Sequence, residues 1–123
     1  MPPHILIVNP DRALAGSLRE PLASGGFEVV VASDFEEAAS ALKAQPFHAI
    51  VTAHHLGSHN GLHLVLRARL DRPTLVAVIT SAISDPQLDL EAAAFGAVCL
   101  VQPWLDAAPL LDVLRSAGAQ PTV

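Results

Sequence analysis

Hydrophobic residues in this chain alternate between two patterns. Short continuous runs occupy residues 4–8 (HILIV), 27–32 (FEVVVA), 47–53 (FHAIVTA), 74–80 (TLVAVIT) and 98–101 (VCLV). These runs are rich in Val and Ile and too short for helices, so they read as strands covered on both faces. Between them, apolar residues recur at helical spacing. Leu14, Leu18 and Leu22 follow Asp11, a candidate N-cap, and Gly25-Gly26 supplies a stop. Pro21 is expected to kink or loosen the last turn of that helix. Ser33-Asp34-Phe35-Glu36 reads as a capping box opening a second helix to about Ala44. Residues 54–60 form a polar loop, after which Gly61, Leu62, Val65 and Leu66 begin a third helix with one buried face. Asp85-Pro86 places a cap before a first-position proline, and that helix runs to Phe95, with Gly96 closing it. Asp106 caps a last helix that runs to about Ala117, and Trp104 stands at the start of this final segment.

Five strands alternating with five helices predict an α/β fold, a doubly wound five-stranded parallel sheet with helices on both faces. The expected domain spans residues 1–117, with 118–123 a flexible tail or the start of a linker.

Composition narrows the class. The longest apolar run, residues 92–101, is too short to span a bilayer, and the opening MPPHILIV has no basic region of a secretory signal. Cys99 is the single cysteine, so no internal disulfide can form, which fits a reducing cytoplasm. The chain carries a net charge of −5 with seven scattered Lys and Arg, which argues against direct nucleic-acid binding. In an open α/β sheet, chemistry sits where strands end. Here the corner after the third strand is Ala53-His54-His55. No Asp or Glu occurs anywhere in residues 38–70, and the only lysine in the chain is Lys43, on the second helix.

The whole chain resembles the receiver domain of bacterial two-component response regulators. The carriers are HILIVNPD at the first strand, FHAIVTAHHLGSHNGL around the third, VITSA at the fourth, the Phe95-Gly96-Ala97 corner, and LVQPW at the fifth. The spacing fits nearly end to end, with the 96–103 segment one residue short. The resemblance implies a (βα)5 flavodoxin-like fold with strand order 2-1-3-4-5. It also implies phosphoryl transfer from a histidine kinase to an Asp ending the third strand. That chemistry uses an acidic pair holding Mg²⁺ after the first strand, a Ser or Thr at the fourth, and a Lys at the fifth. A hard dication needs carboxylate oxygens, and a transferred phosphoryl group needs fixed cations.

Laid on this sequence, the nucleophile position is Ala53. The acidic pair is Asn9 and Pro10, with Asp11 nearby as a remnant acid. The hydroxyl is Ser81, or Thr80 one residue earlier, and the lysine position is Gln102. The chain therefore reads as a pseudo-receiver: no enzyme, no cofactor, and Mg²⁺ binding weak or absent. It is expected to act by protein–protein contact with a histidine kinase, another regulator or a transcription component, and a homodimer is possible. The resemblance further implies a cis bond before Pro103. It also implies an interaction face on the fourth helix, fifth strand and fifth helix, where Cys99 occupies the position of the family's mobile aromatic and Trp104 lies close by.

A reading of a different class uses the histidines. His54, His55, His59 and His63 fall within ten residues, and His59 and His63 share a helix face if the third helix begins early. They could form a metal site or a pH sensor. The bland alternative is a solvated polar loop. A residual hydrolytic site on Ser81, Thr52, Asp11 and the histidines lacks any nucleophile–base–orienter spacing.

Overall fold

The computed structural model describes residues 3–116. The expected tail, and the end of the last helix near Ala117, lie outside the described residues. The elements are β1 His4–Val8, α1 Arg12–Ser24, β2 Glu28–Ala32, α2 Phe35–Ala44, β3 Ala49–Ala53, β4 His55–Leu56, β5 His59–Asn60, α3 Gly61–Asp71, β6 Val76–Ser81, α4 Pro86–Ala94, β7 Val98–Val101 and α5 Ala108–Ser116. The long strands form one parallel sheet in the order β2-β1-β3-β6-β7. Counting only those five, this is the 2-1-3-4-5 order that the resemblance implied.

The alternation within strands builds two cores. In β1, Leu6 and Val8 face one layer with Ala38 of α2, Leu64 of α3 and Leu88 of α4. Ile5 and Ile7 face the other layer with Leu18 of α1 and Leu110 and Leu114 of α5. This is why β1, β3 and β6 read as unbroken apolar runs: every residue in them has a covered side. The edge strands β2 and β7 are only partly buried.

Helix α1 runs to Ser24 with Pro21 inside it, as the sequence implied, while other local features differ from expectation. It ends on a turn in which Gly26, at φ 96°, donates to Ala23 O and Phe27 donates to Leu22 O. The second capping box starts at Asp34, not Ser33. Asp34 accepts the Glu37 N–H at 2.8 Å, and Glu37 accepts the Ser33 N–H at 3.0 Å. That register turns Ala38 into the core. The loop at 54–60 holds an antiparallel hairpin, β4 with β5, turned at Gly57 with φ 64°. Buried Leu56 anchors it to the core.

The bond before Pro103 is trans, a correction to the cis expectation: no cis peptide occurs among the described residues. Gln102 takes the left-handed conformation, φ 48°, and its carbonyl accepts the Leu105 N–H at 3.0 Å. Pro103 thus sits at the second position of a β-turn, where a trans proline's fixed φ is suited. Trp104 lies within this turn, ahead of α5. Asp106 accepts the Ala108 N–H at 3.1 Å from one residue ahead of the expected cap position, since the first carbonyl bonded within the helix is that of Ala107.

Candidate functional site

The carboxyl ends of β1, β3 and β6 open into a cleft of about 640 Å³. Of the residues singled out from sequence, Asn9, Pro10, Asp11, Ala53 and Ser81 line it together, with Thr80, His54 and His55. Gln102 is exposed and is not part of the lining; Trp104 stands there instead. Leu14, Ile83, Asp85 and Leu88 complete the walls. Sequence reasoning missed these four as cleft residues, because they come from helix starts and a loop rather than from strand ends.

Ala53 ends β3 in register with Thr80 of β6. The chain is held there by backbone bonds: His54 donates to Thr80 O at 3.3 Å and accepts from Gly61 at 2.8 Å. Each carboxylate of the cleft caps a helix through Oδ1. Asp11 accepts the N–H groups of Ala13 and Leu14 as the cap of α1. Asp85 accepts those of Gln87 and Leu88 as the cap of α4. The buried Asn9 side chain accepts the Asp11 N–H at 2.9 Å through Oδ1. The Ser81 hydroxyl donates to Ile83 O at 2.7 Å, and Thr80 Oγ1 reaches Thr52 O at 3.5 Å.

The histidines do not converge. His54 and His55 have ring centroids 4.4 Å apart, and Asn60, the cap of α3, lies 3.4 Å from His54 Nε2. His59 sits in β5, ahead of the helix, and stacks on Phe35 with centroids 4.5 Å apart. His63 is exposed on α3. Helix α3 begins too late for His59 and His63 to share a helical face. Among the described residues, no group of three or more His, Cys, Asp or Glu side chains is placed to hold a metal ion.

Cys99 and Trp104 are half-buried. The Cys99 thiol has its pKa pushed up to about 11, by burial first and then by a hydrogen bond to Asp89. It is therefore a protonated, unreactive thiol near neutrality.

Two histidines are held below the ordinary 6.5. Burial, then His55, lowers His54 against the opposing pull of Glu91 and Asp85. Burial, then Arg72 and His4, lowers His48. His48 Nδ1 also accepts the His4 N–H at 3.0 Å, which a protonated ring cannot do. In both cases the folded pKa lies below the unfolded one. Their stabilisation is complete above pH 6.5 and is lost as pH falls through the lower folded values. The urea midpoint is thus expected to fall between about pH 7 and about pH 5. The double variant His48→Gln/His54→Gln should flatten that slope. The change should be small because both rings are partly solvated, and an unchanged slope rejects the assignment.

Comparison with known proteins gives one consistent picture. A family model described as the response regulator receiver domain matches residues 5–115. The alginate biosynthesis transcriptional regulatory protein AlgB of Pseudomonas aeruginosa is 32% identical over 118 residues, covering 95% of this chain. The chain spans about a quarter of that relative's length, 25%. Among solved structures, the Vibrio cholerae chemotaxis protein CheY4 superposes with a TM-score of 0.85 at 22% identity, covering 95% of this chain and 99% of that one. The response regulator TrrA of Thermotoga maritima, in complex with Mg²⁺ and BeF, gives 0.82 at 20% identity, covering 95% and 99%.

Proposed function

The chain belongs to the response regulator receiver domain family, and from that premise we propose that it signals by protein contact without accepting a phosphoryl group. The observation that carries the reading is Ala53. It stands at the end of β3, inside the cleft, with a methyl group where aspartyl chemistry requires a carboxylate. Residues 38–70 contain no Asp or Glu that could replace it, whatever the register. The only lysine, Lys43, is on α2 and does not line the cleft.

Mg²⁺, which the family implies, does not fit this donor set. A hard dication prefers several carboxylate oxygens in near-octahedral array. The two acids here, Asp11 and Asp85, cap helices, and Asn9 and Pro10 bring no charge.

The partner classes that suit this reading are a histidine kinase, a second regulator, a transcription component or another copy of the chain, met in a reducing cytoplasm. The side built by α4, β7 and the turn before α5 supports it, with Leu90, Val101 and Leu105 exposed by 69%, 46% and 74%. Acetyl phosphate with Mg²⁺ should leave the intact mass unchanged, while an intact receiver treated in parallel gains one phosphoryl group. A stoichiometric adduct on this chain would overturn the proposal.

A further inference from the structure

The cleft remains a built chamber after its phosphoryl chemistry is set aside. Its volume, about 640 Å³, falls in the range of small-ligand sites. It lies where the strand order reverses between β1 and β3, the place where open α/β sheets receive ligands. We propose that this cleft binds a small, planar, uncharged molecule with an apolar face and a hydrogen-bonding edge. The proposal rests on the phosphorylation-independent reading, because an aspartyl phosphate would fill the same space with charge.

The chemistry of the walls selects that class. Leu14, Ile83, Leu88 and Trp104 supply apolar surface. Trp104 and His54, which follow β7 and β3, the two neighbours of β6, both line the cleft. Asp11 and Asp85 are already met by helix N-termini, and His54 is held neutral by burial. Both carboxylates still carry charge, each bonding through Oδ1 alone, so they repel an anion, and a cation must give up hydration for carboxylates that solvent still screens. A neutral ligand meets neither effect. The Asn9 side chain uses Oδ1 within the chain, and because no buried side-chain donor is left unpaired among the described residues, its Nδ2 faces solvent at the cleft. Those N–H groups suit a carbonyl acceptor.

A second, smaller groove of about 390 Å³ is lined by Lys43, Arg72, Phe47 and Leu75, away from the strand ends. Lys43 and Arg72 stand at the C-terminal ends of α2 and α3, where cations answer helix carbonyls, and Asp71 lies beside them.

Trp104 is the only tryptophan, so its emission reports the cleft directly. The whole chain would be titrated at neutral pH with three near-isosteric probes: benzamide, benzoate and benzamidine. Benzamide should shift the emission saturably with a dissociation constant on the order of 1 mM, the affinity open to a fragment of that size. Benzoate should bind at least about tenfold more weakly, and benzamidine no more tightly than benzamide. Amide NMR shifts should map to Asn9, His54 and Ser81. Ala53→Leu, which fills the cleft, and Ile83→Arg, at a rim position 70% exposed, should each weaken benzamide at least about tenfold. Tighter binding of either ion overturns the ligand class, and binding indifferent to both variants overturns the location. A silent benzamide titration by both readouts, with no adduct from acetyl phosphate, overturns the cleft assignment and leaves the premise standing. An adduct removes the premise, and the proposal with it.

Discussion

Gly61→Ala is expected to lower stability by about 2 kcal/mol, although alanine is the better helix former. Gly61 is the first residue of α3, directly after the Asn60 cap. A Cβ built there runs into the backbone carbonyl oxygen of Ala53 and lies 3.2 Å from Thr52 Cγ2. A backbone atom cannot rotate away as a side chain can. Either α3 withdraws from β3 or the end of β3 bends. Both routes strain the Gly61 N–H bond to His54 O, 2.8 Å long, and the Leu62 N–H bond to Asn60 Oδ1, 2.7 Å long. Overpacking of this kind costs about 1–3 kcal/mol, and a weakened hydrogen bond adds about 1 kcal/mol. The helix-propensity gain of alanine is at most about 1 kcal/mol, so the sign is destabilising. Gly16→Ala is the control. Gly16 is exposed within α1 with nothing near its virtual Cβ. That change should stabilise by about 0.5–1 kcal/mol. Urea unfolding of both variants decides the matter: a Gly61→Ala midpoint equal to or above that of the parent would contradict the close approach of α3 to Ala53.

The contrast between these two glycines shows where sequence reading stops. Strand runs such as HILIV and TLVAVIT were legible because burial on both faces demands unbroken apolar residues. Caps at Asp11 and Asp85 were legible because a side-chain oxygen before a helix has one favoured use. The resemblance to receiver domains placed Asn9, Pro10, Asp11, Ala53, Ser81 and Gln102 together, and the structure gathers all but Gln102 in one cleft. What escaped depended on three-dimensional neighbours. The β4–β5 hairpin is two residues per strand, below any periodicity, and is held by Leu56 reaching the core. The shift from Ser33 to Asp34 as cap follows from which register buries Ala38. Pro103 is trans and Gln102 takes the left-handed conformation, a turn geometry that the Gln-Pro pair does not announce. Gly61 reads as an ordinary helix start, and only the proximity of Ala53 makes it irreplaceable.

Arg69 is the other side chain whose role depends wholly on distant partners, and its loss should be the larger effect. Its guanidinium donates to three carbonyls: Leu75 from Nε at 3.2 Å and Nη2 at 3.0 Å, Gly96 from Nη2 at 3.0 Å, and Phe95 from Nη1. It thereby ties the end of α3 to the entry of β6 and to the corner between α4 and β7. That corner closes α4 with Gly96 at φ 71°, where Gly96 donates to Ala93 O and Ala97 to Ala92 O. The turn satisfies carbonyls inside the helix and leaves those of Phe95 and Gly96 for Arg69. The negative end of the α4 dipole favours the cation as well. Hydrogen bonds to charged groups contribute about 1.5–3 kcal/mol each, but these share one group that is half-solvated, so they do not add. Arg69→Met, which keeps the apolar stem, should therefore cost about 3 kcal/mol. Arg69→Lys should recover less than half of it, because a single ammonium cannot span three carbonyls in a planar fork. Hydrogen exchange should localise the damage: protection at Gly96 and Ala97 falls in Arg69→Met while that of Leu6 and Ile50, in the sheet centre, falls only by the global amount. An Arg69→Met variant within about 0.5 kcal/mol of the parent would mean that water replaces the guanidinium at no cost, and the clamp would be incidental. A loss confined to the corner has a functional consequence under the contact-only reading. The exposed Leu90, Val101 and Leu105 are carried by α4, β7 and the following turn, so an intact fold with a loosened corner should bind its protein partner more weakly.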